Sequence, residues 1–214
     1  MRLDIAPNER VFVAGMTGSG KSFFTEAFTA QYDYVVKLDT KGEFDERRAA
    51  AAPVWKGLEE NRDYMVSEYL QTLPEIQTPK IIYAPTFEEQ NKETYDTFFK
   101  WCYERGNTTV WIDELMSITE NASTSLPYLR ALYTRGRSKG VGCWACSQRP
   151  MDVPTITLAN SEHFIIFDLM LNQDRKKIVD ITGVPELYER PPEKYQFWYY
   201  KVGMEKPLLC RLKD

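Results

Sequence analysis

The segment Gly15-Met16-Thr17-Gly18-Ser19-Gly20-Lys21-Ser22 fits the pattern G-x-x-x-x-G-K-[ST]. The pattern carries chemistry only between a buried strand and a helix, and both flanks are present. Val11-Phe12-Val13-Ala14 is an apolar run ending at Gly15, and residues 21–31 place Phe23, Phe24, Ala27 and Phe28 at helical spacing. At average residue usage the bare pattern arises in roughly one chain in a hundred of this length, and the required flanks make coincidence rarer still. In such a loop the glycines let backbone N–H groups turn in around phosphate oxygens. The helix beginning near Lys21 adds its N-terminal donors and the positive end of its dipole. Lys21 is then expected to reach the outer phosphates of a nucleotide, Ser22 to offer its hydroxyl to Mg2+, and Phe23 to close the nucleotide-binding stretch 15–23.

Beyond the loop, short apolar runs alternate with helical patterns. Runs at 34–38, 81–84, 109–112, 140–146 and 163–167 read as strands, and stretches near 86–104 and 125–135 read as helices. This alternation predicts an α/β fold with a mainly parallel sheet covered by helices on both faces. Near the end, residues 195–202 and 208–212, separated by Gly203 and Pro207, predict an antiparallel hairpin at the sheet edge. The stretch 47–79 is the least regular and is expected to leave the sheet, with a helix over 59–73. No repeat, Gly/Ser linker or long charge block divides residues 1–214, so one domain is expected.

Composition narrows the classes. With 27 Lys+Arg against 31 Asp+Glu, the formal charge of -4 argues against a surface that coats nucleic acid or anionic membrane as a whole, but leaves room for a local basic patch. Four cysteines do not make a disulfide framework, and the single His163 leaves little for a Cys/His zinc site. Cys143 and Cys146 form a C-x-x-C, but Gly-Val-Gly-Cys-Trp-Ala-Cys-Ser reads as a buried strand on which positions three apart face opposite ways. No apolar run is long enough to span a bilayer and no leader pattern opens the chain, so a soluble, intracellular protein is expected.

A second acidic element completes a nucleotide site. Thr109-Val110-Trp111-Ile112-Asp113-Glu114 is a buried strand that delivers two carboxylates at its carboxyl end, where ligands bind in parallel sheets. Asp113 is expected to hold Mg2+ through water, and Glu114 to orient and activate the attacking water.

The segment from Gly136-Arg137-Ser138-Lys139-Gly140-Val141 through the strand to Ser147-Gln148-Arg149-Pro150 resembles the G-R-x-x-G-[IV] stretch and [ST]-Q-R-P ending of the HerA/FtsK superfamily of ring-forming DNA-pumping ATPases. Leu38-Asp39-Thr40-Lys41-Gly42-Glu43 is similar to the superfamily's D-x-K-G-E, and a strand followed by Asn172-Gln173-Asp174-Arg175 and a helix ending at Gly183 is similar to the segment after Q-R-P. The resemblance covers residues 10–212 and implies a RecA-like P-loop core. It implies that Gln148 senses the γ-phosphate and that Arg137, or Arg135 two residues earlier, is an arginine finger reaching into a neighbouring subunit. It also carries over Asp39, Lys41 and Glu43, whose roles in the family are less defined.

Larger superfamily members carry membrane or DNA-reading domains. A short acidic chain without them resembles the genome-packaging ATPases of viruses with internal membranes and of small phages. The implied function is an ATP- and Mg2+-dependent translocase of double-stranded DNA without sequence specificity. The resemblance implies a ring of five or six copies docked on a capsid portal or vertex in the host cytoplasm. Lys56, Lys139 and Arg149 are candidate pore contacts to DNA. A cellular HerA-like or conjugation-type translocase, and a nucleotide-gated phage assembly or secretion protein, are the alternatives. A small-molecule kinase would need a lid and an acceptor pocket that the sequence does not display.

Overall fold

The structure is a computed structural model describing residues 3–50, 54–119 and 122–212, without the side chains of Glu43, Arg47 and Arg48. Its strands are β1 (Arg10–Ala14), β2 (Val35–Leu38), β3 (Tyr64–Ser67), β4 (Lys80–Tyr83), β5 (Thr109–Ile112), β6 (Gly142–Ser147), β7 (His163–Ile166), β8 (Gln196–Lys201) and β9 (Leu208–Arg211). Between them run α1 (Lys21–Thr29), α2 (Glu43–Ala49), α3 (Lys92–Arg105), α4 (Pro127–Arg135), α5 (Thr155–Ala159) and α6 (Asn172–Thr182). The nine strands form one sheet in the order β3-β4-β2-β5-β6-β1-β7-β8-β9. From β3 to β7 all pairs are parallel, and β8 and β9 add an antiparallel edge.

The central strands read as unbroken apolar runs because both faces are covered. Alternate residues still serve different cores: Phe12 and Ala14 pack with Phe98 and Phe99 of α3, Leu132 of α4 and Ile178 of α6, whereas Val11 and Val13 pack on the α1 side. That side is rich in aromatic rings. Phe24 of α1 stands 5.0 Å from Phe197, and Phe28 stands 5.5 Å from the fully buried Trp144 of β6. Such pairs contribute about 0.5–1.5 kcal/mol each beyond area burial, and together they lock α1 onto the sheet. The same alternation sends the buried, free Cys143 and Cys146 to opposite cores, and burial pushes both thiols up to about 12.

Two expectations are corrected. Residues 59–73 are not a helix, and the irregular stretch returns to the sheet part-way: Tyr64–Ser67 pairs in parallel with β4 as the edge strand β3, followed by a 3-10 turn over Leu70–Glu75. An edge strand needs only one paired neighbour and one buried face, so its apolar run, Tyr64-Met65-Val66, is short and lies between polar residues; Pro74, which lacks an N–H, closes the turn. The helix expected over 86–104 is divided into a 3-10 turn at Phe87–Glu89 and α3. Asn91 caps α3 by accepting the Thr94 N–H at 3.0 Å. No helix among the described residues is long and apolar enough to cross a membrane.

Candidate functional site

The glycine-rich segment leaves the carboxyl end of β1 and is fixed at its base by both neighbouring strands. Gly15 N–H donates to the Ser147 carbonyl at the end of β6 (3.2 Å), and Met16 N–H donates to the Asp168 carbonyl beyond β7 (2.9 Å). A methyl group added at Gly15 would stand 2.6 Å from both Phe167 Cβ and Ser19 Oγ, so the close approach itself excludes a side chain. Gly20 caps α1 at φ 109°, a left-handed conformation in which L-residues are strained, and no side chain caps the helix. The first amides of α1 therefore face the loop without a side-chain acceptor, which makes the helix start an anion-binding end.

Lys21 is buried and curls back under the loop, donating to the carbonyls of Gly15 (2.7 Å) and Met16 (3.1 Å). Burial lowers the pKa of its ammonium, opposed by Cys146, Glu114 and Asp113. The Ser19 hydroxyl is also buried and finds no hydrogen-bond partner among the described residues. A loop with an orphaned hydroxyl, a helix start whose first amides no side chain caps and a lysine held only by carbonyls fits phosphate oxygens as partners.

Asp113 and Glu114 follow β5 and are both buried, at 2% and 3% exposure. They are not on the strand next to the loop. β6 lies between β5 and β1 and ends in Ser147-Gln148, so three successive strands in the sheet deliver the carboxylates, Gln148 and the loop to one edge. Glu114 Oε1 accepts the Gln148 backbone N–H at 3.2 Å, and its Oε2 lies 3.0 Å from Lys41 Nζ. The Gln148 side chain reaches across to the loop, where Thr17 Oγ1 donates to its Oε1 at 2.8 Å. Ser22, half-buried at the start of α1, and Asp113 are both hard oxygen donors, the set Mg2+ takes when phosphates and waters complete its octahedron.

On the other side of the loop, a cavity of about 440 Å3 is bounded by Thr17 and Ser19, by Asp168 beyond β7, and by residues 190–196 leading into β8. Arg190 forks onto Asp168 with two hydrogen bonds of 2.6 Å. Tyr195, with φ 64° and 44% exposure, presents its ring beside Gly20. Sequence patterns do not mark these residues, because a loop 170 residues downstream meets the glycine segment only through the pairing of β1, β7 and β8.

The remaining sequence candidates lie elsewhere. Arg137, in the 3-10 turn Gly136–Lys139 before β6, is held at 3.0 Å by Glu162, which also binds Arg10 at 3.1 Å. Arg10 opens β1 and Glu162 precedes β7, so Arg137 belongs to the amino ends of the strands, opposite the glycine loop. Arg135 ends α4 and is exposed. Lys139 and Arg149 flank opposite ends of β6; Lys139 covers the Tyr103 ring at 4.9 Å, and Arg149 is bound by Asp174 at 3.2 Å and Asp152 at 3.7 Å. Lys56 is exposed beside the buried Trp55. These three cations are thus not gathered into one patch on a single chain. Glu43's side chain lies outside the described residues.

The strand order, the glycine loop opening α1 and the acidic end of β5 together define a P-loop NTPase-like fold, mostly parallel with an antiparallel hairpin at one edge. Over nearly its whole length the chain resembles viral genome-packaging ATPases. It is 26% identical over 213 residues to the DNA packaging ATPase P9 of Enterobacteria phage PRD1, covering 92% of this chain and 85% of that protein. Its fold matches B204, the DNA-packaging ATPase of Sulfolobus turreted icosahedral virus, with a TM-score of 0.74 at 16% identity over 98% of this chain and 100% of that one. A B204 complex with ATP-gammaS from Sulfolobus turreted icosahedral virus 2 matches with a TM-score of 0.72 at 16% identity, over 96% and 98% of the two chains. The conjugation coupling protein TcpA of pCW3 shares the fold at a TM-score of 0.64 and 16% identity, over 98% of this chain and 62% of that one. No protein-family model matches the chain.

Proposed function

We propose that this protein is the ATP-hydrolysing motor that packages a viral genome, acting as a ring that translocates double-stranded DNA. The observation that carries the reading is the meeting of the glycine loop, Gln148 and Asp113-Glu114 at the carboxyl ends of three neighbouring strands, in a chain resembling packaging ATPase P9 over 92% of its length.

In this reading the loop amides and Lys21 hold the β- and γ-phosphates, Lys21 exchanging its two carbonyl partners for phosphate oxygens. Ser22 and Asp113 would hold Mg2+, which supplies charge neutralisation on the phosphates when bound. Glu114 lies on the β6 side of the loop and accepts a proton from the attacking water, and Gln148, carried by the adjacent strand and bonded to Thr17, orients that water or reports the γ-phosphate. With the terminal phosphate facing Glu114, the nucleoside leaves on the opposite side. There the cavity at Asp168 and Arg190 is large enough for it, and the exposed Tyr195 ring offers a stacking face.

Charge developing in the transition state is left for another subunit to compensate. Arg135 and Arg137 stand at the amino ends of the strands, too far round the sheet to serve their own loop, which suits a ring in which each copy offers this edge to its neighbour's site. Between the two, Arg135 is the better finger, because Arg137 is already bound to Glu162.

The test is ATP turnover with Mg2+ in the presence and absence of duplex DNA. Turnover that requires Lys21 and Glu114 and rises with DNA supports the motor; turnover indifferent to DNA refutes translocation. The likeness to TcpA favours a conjugation-type translocase as the second reading, and the genes adjoining this one, capsid or mating-pore, separate the two.

A further inference from the structure

The structure assigns a task to Asp39-Thr40-Lys41-Gly42: we propose that Lys41 is a positioning residue for Glu114, acting in ATP hydrolysis without touching the nucleotide. The inference rests on the reading of Glu114 as the group that activates water.

The loop after β2 is built to deliver this lysine. β2 lies beside β5, with Leu38 opposite Ile112, so both chains leave the sheet side by side and Asp113 N–H donates to the Leu38 carbonyl at 3.2 Å. Asp39, 2% exposed, folds the loop over itself: its Oδ1 accepts the Lys41 N–H at 3.3 Å and its Oδ2 the Phe44 N–H at 2.7 Å, at the start of α2. Gly42 makes the turn at φ 73°, open only at a strain to other residues. The Thr40 and Ser117 hydroxyls are 2.6 Å apart. Because Ser117 Oγ already donates to the Glu114 carbonyl at 2.7 Å, Thr40 is the donor of that pair. The lysine loop and the glutamate loop are therefore braced backbone to side chain, and the bridge from Lys41 Nζ to Glu114 Oε2 at 3.0 Å closes the frame.

The pair is asymmetric. The Glu114 side chain is 4% exposed and that of Lys41 is 30% exposed, so the cation approaches from solvent a carboxylate that is already enclosed. Burying a carboxylate without a counter-charge is expensive, and the bond from Gln148 N–H holds only one of its oxygens. Lys41 fixes the other, which sets the plane of the carboxylate and leaves its remaining lone pairs at a defined angle to the loop. A misplacement of ~1 Å in such a group can cost ~100-fold in rate.

The experiment compares Lys41→Met, Lys41→Arg, Glu114→Gln and Lys41→Met/Glu114→Gln, measuring kcat for ATP, Kd for a fluorescent ATP analogue and thermal stability. Lys41→Met should lower kcat ~10- to 100-fold while Kd stays within ~3-fold, because the phosphate loop is untouched. Lys41→Arg should retain most of the turnover, since a cation still reaches Glu114. Added to Glu114→Gln, Lys41→Met should cost nothing further, the signature of a residue acting through another. Turnover of Lys41→Met equal to or above wild type overturns the inference, and so does a loss of affinity as large as the loss of kcat, which would mark a merely structural lysine; a lower melting temperature is expected either way, since the buried carboxylate loses its counter-charge. Wild-type protein that does not hydrolyse ATP overturns the functional reading, and this inference with it.

Discussion

Glu114→Gln removes the proposed base at nearly constant volume, and the geometry dictates two separate consequences. General-base assistance contributes typically ~100- to 10,000-fold to rate, which at ~1.4 kcal/mol per decade raises the barrier by about 3–6 kcal/mol. The second consequence comes from the two neighbours. Oε1 accepts from Gln148 N–H at 3.2 Å and Oε2 faces Lys41 Nζ at 3.0 Å, and both neighbours are donors. An amide offers one acceptor and one donor, so either orientation of the substituted side chain sets an NH2 group against a donor. One partner of the buried pair is left unmatched, at a cost of about 1–3 kcal/mol in stability. The variant should therefore bind nucleotide, turn over ~100-fold or more slowly, and melt several degrees lower. Adding Lys41→Met should recover part of the melting temperature and none of the rate. Steady-state turnover, nucleotide titration and calorimetry read the three quantities. Turnover of Glu114→Gln within ~3-fold of wild type would refute the assignment of the base, since even weak general-base assistance exceeds that.

Three further outcomes follow from the geometry. Lys21→Ala should abolish measurable nucleotide binding in a calorimetric titration while the fold persists in circular dichroism, because it removes the buried ammonium held under the glycine loop and leaves the aromatic core of α1 intact. In rings doped with increasing fractions of variant subunits, Arg135→Ala should poison turnover more steeply than its own fraction, by up to ~1,000-fold when complete, and Arg137→Ala should do less. Arg137 is 65% exposed in its pair with Glu162, so its removal should shift stability by less than ~1 kcal/mol. Finally, burial lowers the His163 pKa from its ordinary 6.5, against the opposing pull of Glu9. The folded state then binds the proton more weakly than the unfolded chain. The stability associated with a neutral His163 is full above pH 6.5 and is lost as pH falls below it through the lowered folded value, with a limiting slope of ~1.4 kcal/mol per pH unit. Melting temperatures between pH 8 and pH 5 check this; His163→Gln should flatten the curve, and an unchanged curve would refute it.

Local signals were legible wherever a side chain's neighbours in sequence are also its neighbours in space. The run 11–14, the glycine loop and the helix after it form one continuous unit, and the apolar strands at 109–112 and 163–167 read correctly because burial on both faces leaves no polar interruption. The terminal hairpin was marked by Gly203 and Pro207. The edge strand Tyr64–Ser67 is not legible in this way, because its stability comes from backbone pairing with β4 and its apolar run is short.

The order of residues along the chain already specifies the chemistry available: a phosphate-seeking loop on a strand-to-helix turn, two carboxylates at a strand end, and a glutamine and arginines flanking another strand. Their partnership came from the way the strands assemble. Strand order interposes β6 between β1 and β5, so Gln148 bridges the loop and Glu114, and it sets β2 beside β5, so Lys41 meets that same carboxylate. It also carries Arg137 to the far edge and folds residues 190–196 over the glycine loop. Pairing between strands distant in sequence is fixed by backbone hydrogen bonds and shared core packing across the whole sheet, and no local pattern encodes which strands will be neighbours.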